Sequence, residues 1–379
     1  MSIRQYNLGS IVKPGFNPLG AQTSVTTYQP YLYSWGQNNE GQLGLGNITY
    51  YSSPKQVGSN TNWANICGGR QHTLATKTDG TLWAWGLNNY GQLGQGNTTN
   101  QSSPVQVGAL TTWLNISSGN YSVLATKTDG TLWTWGLGTQ GQLGLGNTTN
   151  YSSPKQVGSL TNWLNVSGGY RYSLAVKTDG TLWAWGANNG GKLGLGNTTG
   201  YSSPKQVGAL TSWLNIATSY QSSRAIKTDG TLWTWGSGFR GALGLGNTTS
   251  YSSPKQVGAL TNWLKITSDR YTASIATKTD GTMWSWGYNS SGQLGLGNIT
   301  DYSSPKQVGA LTSWLNVAGG YRFCTATQSN GTLWTWGSNN FGQLGLGNSV
   351  NKSSPNQVGS LTTWLSSACG HYFTVATLY

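Results

Sequence analysis

Apolar and polar positions alternate over short stretches of this chain, and the stretches recur at a fixed interval. The clearest is Thr131-Leu-Trp-Thr-Trp135, whose period of two is that of a half-buried β-strand. The Trp-Gly pair that closes it returns at Trp35-Gly36, Trp85-Gly86, Trp135-Gly136, Trp185-Gly186, Trp235-Gly236, Trp286-Gly287 and Trp336-Gly337. The step is 50 residues, with one step of 51. Residues 31–379 hold seven such units, and residues 1–30 fall outside the pattern. No stretch has helical periodicity. A repeat of this length describes one continuous architecture and overrides the domain count that length alone suggests.

The unit from Trp113 to Gly158 predicts four strands. Trp113-Leu-Asn-Ile-Ser is the first, and Tyr121–Lys127 the second, after a Gly/Asn turn. Thr128-Asp129-Gly130 is a tight hairpin, because Asp and Gly accept positive φ. The third strand is Thr131–Trp135. The long loop Gly141-Gln-Leu-Gly-Leu-Gly-Asn147 then crosses to Ser152-Ser-Pro154, and Gln156-Val157 is expected as a short outer strand beside a proline suited to an edge. Short strands and turns repeated in this way mean an all-β repeat fold. The chain ends on a stretch, His371–Tyr379, that matches a second strand, and the pattern begins at Tyr31–Trp35, which matches a third. Pairing the two completes one blade, closes a ring and removes two open sheet edges. Residues 1–30 are expected to form an arm or attachment segment outside it.

The 20 tryptophans fall into three columns of the repeat. One runs Trp63, Trp113, Trp163, Trp213, Trp263, Trp314, Trp364. The others are the pairs Trp83/Trp85, Trp133/Trp135, Trp183/Trp185, Trp233/Trp235, Trp284/Trp286 and Trp334/Trp336, with Tyr33 replacing the partner of Trp35. Columns this regular are expected to pack sheet against sheet, since each indole buries a large apolar surface.

Composition narrows the function. Only 8% of residues are charged, so Ser, Thr, Asn and Gln supply the polar surface, while the 12% aromatic content argues against disorder. The net charge of +13 is spread around the repeats. Lys55, Lys155, Lys205, Lys255 and Lys306 form one column; Lys77, Lys127, Lys177, Lys227 and Lys278 form another, each two residues before a hairpin Asp. A spread charge is not the clustered footprint of specific nucleic-acid binding, and none is expected. Cys67, Cys324 and Cys369 have no zinc or disulfide spacing and are expected as buried free thiols. No signal peptide or membrane span is apparent, which points to cytoplasmic synthesis.

The unit G-x-x-[H/Y]-[S/T]-x-A-x-K-T-D-G-T-L-W-x-W-G-x-N-x-x-G-Q-L-G-L-G-N, strongest at Gly69-Arg70-Gln71-His72-Thr73, resembles the repeat of the regulator of chromosome condensation family. The resemblance implies a seven-bladed β-propeller of four-stranded antiparallel blades. It does not carry one function: the family includes a nucleotide exchange factor for a small GTPase, bacterial propellers that inhibit β-lactamase and a plant ultraviolet-B photoreceptor. The photoreceptor's tryptophan in the G-x-R-H-T turn is missing here, as are the exchange factor's insertion and basic tail. What the members share is binding through a propeller face.

Catalysis has little support in the sequence. His72 and His371 occupy equivalent turns, five of the eight acidic residues are hairpin aspartates, and Glu40, Asp269 and Asp301 are isolated. No nucleophile elbow, zinc motif or phosphate loop occurs. No cofactor, metal or enzyme activity is expected. The repeats differ mainly in two windows, one after Trp-Gly and one before the second strand. Topology sends both to the same end of the blades, with the hairpins at the other. The windows offer Arg70, His72, Tyr90, Tyr121, Tyr170, Arg171, Tyr172, Tyr220, Arg240, Arg270, Tyr271, Tyr288, Tyr321, Arg322, Phe341, His371 and Tyr372, types enriched in recognition surfaces. The expectation is a binding face for a protein or a glycan, the alternative a purely structural part. Near-identical repeats also resemble virion or phage-tail propellers, which would put the chain on a particle surface. Arg224, standing in a leucine column, has no explanation at this level.

Overall fold

The computed structural model describes residues 29–379. Their strands form seven four-stranded antiparallel sheets. Six blades run in sequence order; the first spans Trp63–Gln106 and the sixth Trp314–Gln357. The seventh is shared by the chain ends, where Tyr31–Gly36 pairs with Phe373–Leu378 from Tyr31↔Leu378 to Gly36↔Phe373. The predicted closure is therefore present. The proposed arm lies largely outside the described residues.

The innermost strand of each blade is the one that opens with the first tryptophan column, for example Trp113–Ser118. The outermost differs from expectation. It runs Tyr151–Gln156 rather than Gln156-Val157, so Pro154 lies inside it. Pairing to the third strand breaks between Tyr151 and Lys155, and Pro154 falls in that irregular stretch, where its missing N–H costs no ladder bond.

Cores lie between blades. Between the third and fourth, Leu174, Val176, Leu182 and Leu193 pack on Trp213 and Trp235 of the next sheet. The Trp of each Trp-Gly pair is fully buried, and most donate the indole N–H backwards, as Trp185 Nε1 does to the Gln142 carbonyl at 2.9 Å. Gly144 permits this approach: at φ +72° a Cβ there would meet the Trp185 indole nitrogen at 2.8 Å.

The lysines of the second column do not pair with the hairpin aspartates. Lys127 Nζ sits 3.7 Å from the Trp133 ring centroid and 5.0 Å from that of Trp113. Asp129 instead accepts from the backbone N–H and hydroxyl of Thr131, which holds its carboxyl below the usual range. Burial against the two indole faces lowers the Lys127 pKa, and the ring quadrupoles attract the cation there.

Candidate binding face and a side groove

Both variable windows emerge at one end of the blades. Leu87 N donates to Gln71 O, Leu137 N to Tyr121 O and Ala187 N to Arg171 O, so each loop after Trp-Gly is bonded to the turn that opens its own second strand. Neighbouring blades are linked there too: Arg70 N donates to Asn120 O, Tyr321 N to His371 O, and His371 N to Arg70 O across the closure.

On this frame the tyrosines touch one another. Tyr170 stacks on Tyr220 with centroids 4.3 Å apart, Tyr220 reaches Tyr271 at 6.1 Å, and Tyr271 meets Tyr288 and Tyr321 at 5.5 Å each. Tyr321 contacts His371 at 4.2 Å and Tyr372 at 5.4 Å, and Tyr372 contacts Phe341 at 4.8 Å. A separate pair, Tyr90 and Tyr121, lies 5.1 Å apart. Arginines lie over these rings. Arg322 covers Tyr271, Tyr288 and Tyr321, Arg171 covers Tyr170, and Arg70 covers Tyr121 while donating to its hydroxyl at 2.5 Å. Arg171, Arg240 and Arg322 hold φ of 60°, 58° and 61°. Left-handed backbone in a non-glycine residue costs on the order of 1 kcal/mol or more and clusters at functional sites. Arg240 pairs with Asp301 at 3.1 Å, the one ion pair among the described residues.

Three expected face residues are elsewhere. His72 is fully buried, its Nε2 2.7 Å from the Ser118 hydroxyl, and burial pulls its pKa down to about 3. Tyr172 is fully buried and donates to Ser222 O at 2.7 Å. Both are the first residue of a second strand, where the pleat directs the side chain into the neighbouring blade. Arg270 turns into the central channel, donating to Cys369 O at 3.3 Å and to Gly68 O across the ring; burial lowers its pKa to about 10. It borders a polar cavity of about 260 Å³ lined by inner-strand ends such as Ser167, Thr218 and Ser268.

Other functional candidates escaped the sequence reading. Lys192 replaces the glutamine of most repeats and is nearly buried; its ammonium donates to Tyr170 O at 3.3 Å, and burial with Arg171 nearby lowers its pKa to about 8. Arg224 is fully buried, donating to Ser274 Oγ at 2.5 Å and to Ala242 O at 3.2 Å. It makes no ion pair among the described residues; its charge is felt first by the Tyr172 hydroxyl and then by Asp269, at the turn carrying the extra residue of the 51-step. Asp269 Oδ1 accepts from Tyr271 N and Ala273 N; Oδ2 has no partner, and burial pushes the carboxyl up to about 7. All three break a repeat column, which is the signal that could have found them.

So do Gln95, Gln101 and Val105, which stand where most other blades carry Leu, Tyr and Lys, as at Leu145, Tyr151 and Lys155. The three lie side by side in a groove of about 670 Å³ between the first and second blades.

Seven stretches of the chain match the regulator of chromosome condensation (RCC1) repeat: 31–76, 79–126, 129–176, 179–226, 229–268, 280–327 and 330–377. The chain belongs to the RCC1 repeat family. The matches leave a gap over 269–279, where the turn is one residue longer. A zebrafish (Danio rerio) protein, RCC2 homolog, is 39% identical over 67 residues, 17% of this chain and only 13% of that protein's length. Among solved structures, human WBSCR16 is similar with a TM-score of 0.83 at 21% identity, covering 93% of this chain and 99% of that one. Prp20p of Saccharomyces cerevisiae is similar with a TM-score of 0.82 at 19% identity, covering 93% of this chain and 92% of that one. At such identities the structural likeness speaks for the RCC1-type propeller fold alone.

Proposed function

We propose that this RCC1-repeat propeller is a non-enzymatic protein-binding module whose arginine–tyrosine face takes an acidic protein surface. The observation that carries the reading is the run of contacting aromatic rings overlaid by guanidinium groups. Rigid tyrosines supply contact area at low entropic cost, and arginine supplies planar donors for carboxylates. Among the described residues Arg70, Arg171 and Arg322 make no ion pair. The positive φ at Arg171 fits an exposed side chain held outward at an energetic cost. Prp20p is described with binding properties toward Gsp1p and histones, and a protein partner is the part of that description extended to this chain. No observation on the face favours a particle-surface role.

The test uses the full chain and a glutamate-rich peptide, with a lysine-rich peptide as control. The acidic peptide alone should bind, more weakly on going from about 50 to 300 mM salt. Arg70→Ser, Arg171→Ser and Arg322→Ser together should weaken it at least about tenfold, as loss of three charge-assisted contacts requires. Changing the exposed Leu164, Leu214 and Leu264, which lie on inner strands, to Ser should leave binding intact. Equal binding by the arginine variant, or loss in the leucine variant, would remove the face assignment.

A further inference from the structure

The outer grooves of this propeller are filled by a repeated device. Leu45 with Tyr51 and Leu195 with Tyr201 pack against the interblade core, as do Leu145, Leu245, Leu296 and Leu346. Lys55, Lys155, Lys205, Lys255 and Lys306 lie over Tyr51, Tyr151, Tyr201, Tyr251 and Tyr302, each 5.5–5.6 Å from the ring centroid. The sixth blade keeps Leu346 but carries Lys352 and Asn356 for the Tyr and Lys; the first blade lacks all three parts. Gln95, Gln101 and Val105 take their places, and the core below them has no Leu–Tyr cover.

What the substitutions expose is polar and aromatic at once. Gln95, Asn97, Gln101 and Gln106 line the groove with carboxamides, Trp133 and Trp113 line it from the second blade, and Lys127 is its one charged group. The amides of Gln101 and Gln106 make no hydrogen bond within the described protein, and that of Gln95 only a long one, 3.5 Å to Val105 O. The Trp113 indole N–H is buried without an acceptor among the described residues, as are those of Trp163, Trp213, Trp263, Trp314 and Trp364. No carboxylate lines the groove, which disfavours a cationic ligand. Carboxamides offer a donor and an acceptor side by side, the pairing that vicinal hydroxyl groups require, and indole surface takes the C–H face of a ring. The volume is in the range of small-ligand sites.

We propose that the groove between the first and second blades is a saccharide-binding site, separate from the arginine–tyrosine face. The ligand is a neutral or singly anionic sugar of one or two rings, a carboxylated one being drawn to Lys127. Its hydroxyls bond the free amides of Gln101 and Gln106.

The test is saturation-transfer NMR and calorimetry on the full chain. The probes are glucose, galactose, N-acetylglucosamine, glucuronate, lactose and chitobiose, each up to about 10 mM, where site-specific binding of even millimolar affinity registers. At least one should bind. The variant Gln95→Leu/Gln101→Tyr/Val105→Lys installs residues that other blades already carry at these positions, so the variant is expected to fold; it should weaken binding at least tenfold. The arginine variant of the face should bind sugar as the parent does, which separates this site from the protein-binding reading. No saturable binding by any probe, binding unchanged in the triple variant, or binding lost only in the face variant would overturn the assignment. Displacement of the acidic peptide by the triple change, with no sugar bound, would assign the groove to the protein partner instead.

Discussion

Single side chains in this propeller are set by which neighbour's atoms surround them, and the two histidines show it. Each belongs to the same turn in its own blade, yet His72 lies in an interblade core while His371 stacks between Tyr321 and Tyr372. Burial lowers both pKa values to about 3, helped in each case by Arg270 and for His371 also by Arg70. A depressed histidine makes the unfolded chain bind more protons between the ordinary 6.5 and the folded value. Stability is therefore lost as pH falls through that window. Asp269 has the opposite sign: raised to about 7, it contributes stability below its ordinary 3.8 that is lost as pH rises toward 7. Two histidines against one carboxyl leave a net loss in acid. The Tm of the parent should fall from pH 6.5 to 4.5, and that of His72→Phe/His371→Tyr should stay level or rise. Phe and Tyr already occupy these positions at Phe323 and Tyr321. A double variant as acid-sensitive as the parent would show that the histidines are not responsible.

At the scale of strands and turns, the repeat is interrupted by two buried groups of opposite charge. Arg224 is in the second strand of the fourth blade, and Asp269 in the lengthened turn of the fifth. The two are not in ion-pair contact, but each lies in the other's field, which opposes the effect of burial on both. Arg224→Leu restores the leucine column but strands Asp269; Asp269→Gly restores the common glycine but strands Arg224. Each single change should be strongly destabilising and the pair much less so, a coupling of about 1–3 kcal/mol in a double-mutant cycle by chemical denaturation. Additive losses would mean that the two groups do not sense each other. The same scale explains the misplaced outer strand. Ser152-Ser-Pro154 reads as a turn from composition, yet an edge strand tolerates an unpaired stretch, and so the strand extends through it.

For the molecule as a whole, closure is the decisive event. Six blades are local in sequence, whereas the seventh joins residues more than 300 apart: Trp35 Nε1 donates to Gln343 O at 2.9 Å, and Tyr31–Gly36 pairs with Phe373–Leu378. Removing residues 371–379 leaves two open edges and uncovers Leu32 and Trp35, which are fully buried in the closed ring. The truncated chain should lose its single cooperative melt and associate on size-exclusion chromatography. A melt like that of the intact chain would mean the ring does not depend on this blade.

The 50-residue period, the antiparallel strands and the tryptophan columns were legible because each is a local pattern that recurs along the chain, so every copy checks the others; the shared seventh blade was legible because the two ends of the pattern carry complementary strands of one unit. The strand directions also sufficed to send both variable windows to one end. Three decisions were not local. Whether a turn residue faces solvent, the next blade or the channel depends on atoms some 50 or more residues away, which is why Tyr170 joins the aromatic run while Tyr172 two positions on is buried. Arg224 is intelligible only beside its acceptors, Ser274 Oγ on the next blade and Ala242 O, because a buried charge is stable through neighbours that no spacing in the chain announces. And the substitutions at Gln95, Gln101 and Val105 look like scattered drift along the chain; folding a strand back beside its loop makes them adjacent and leaves the groove open.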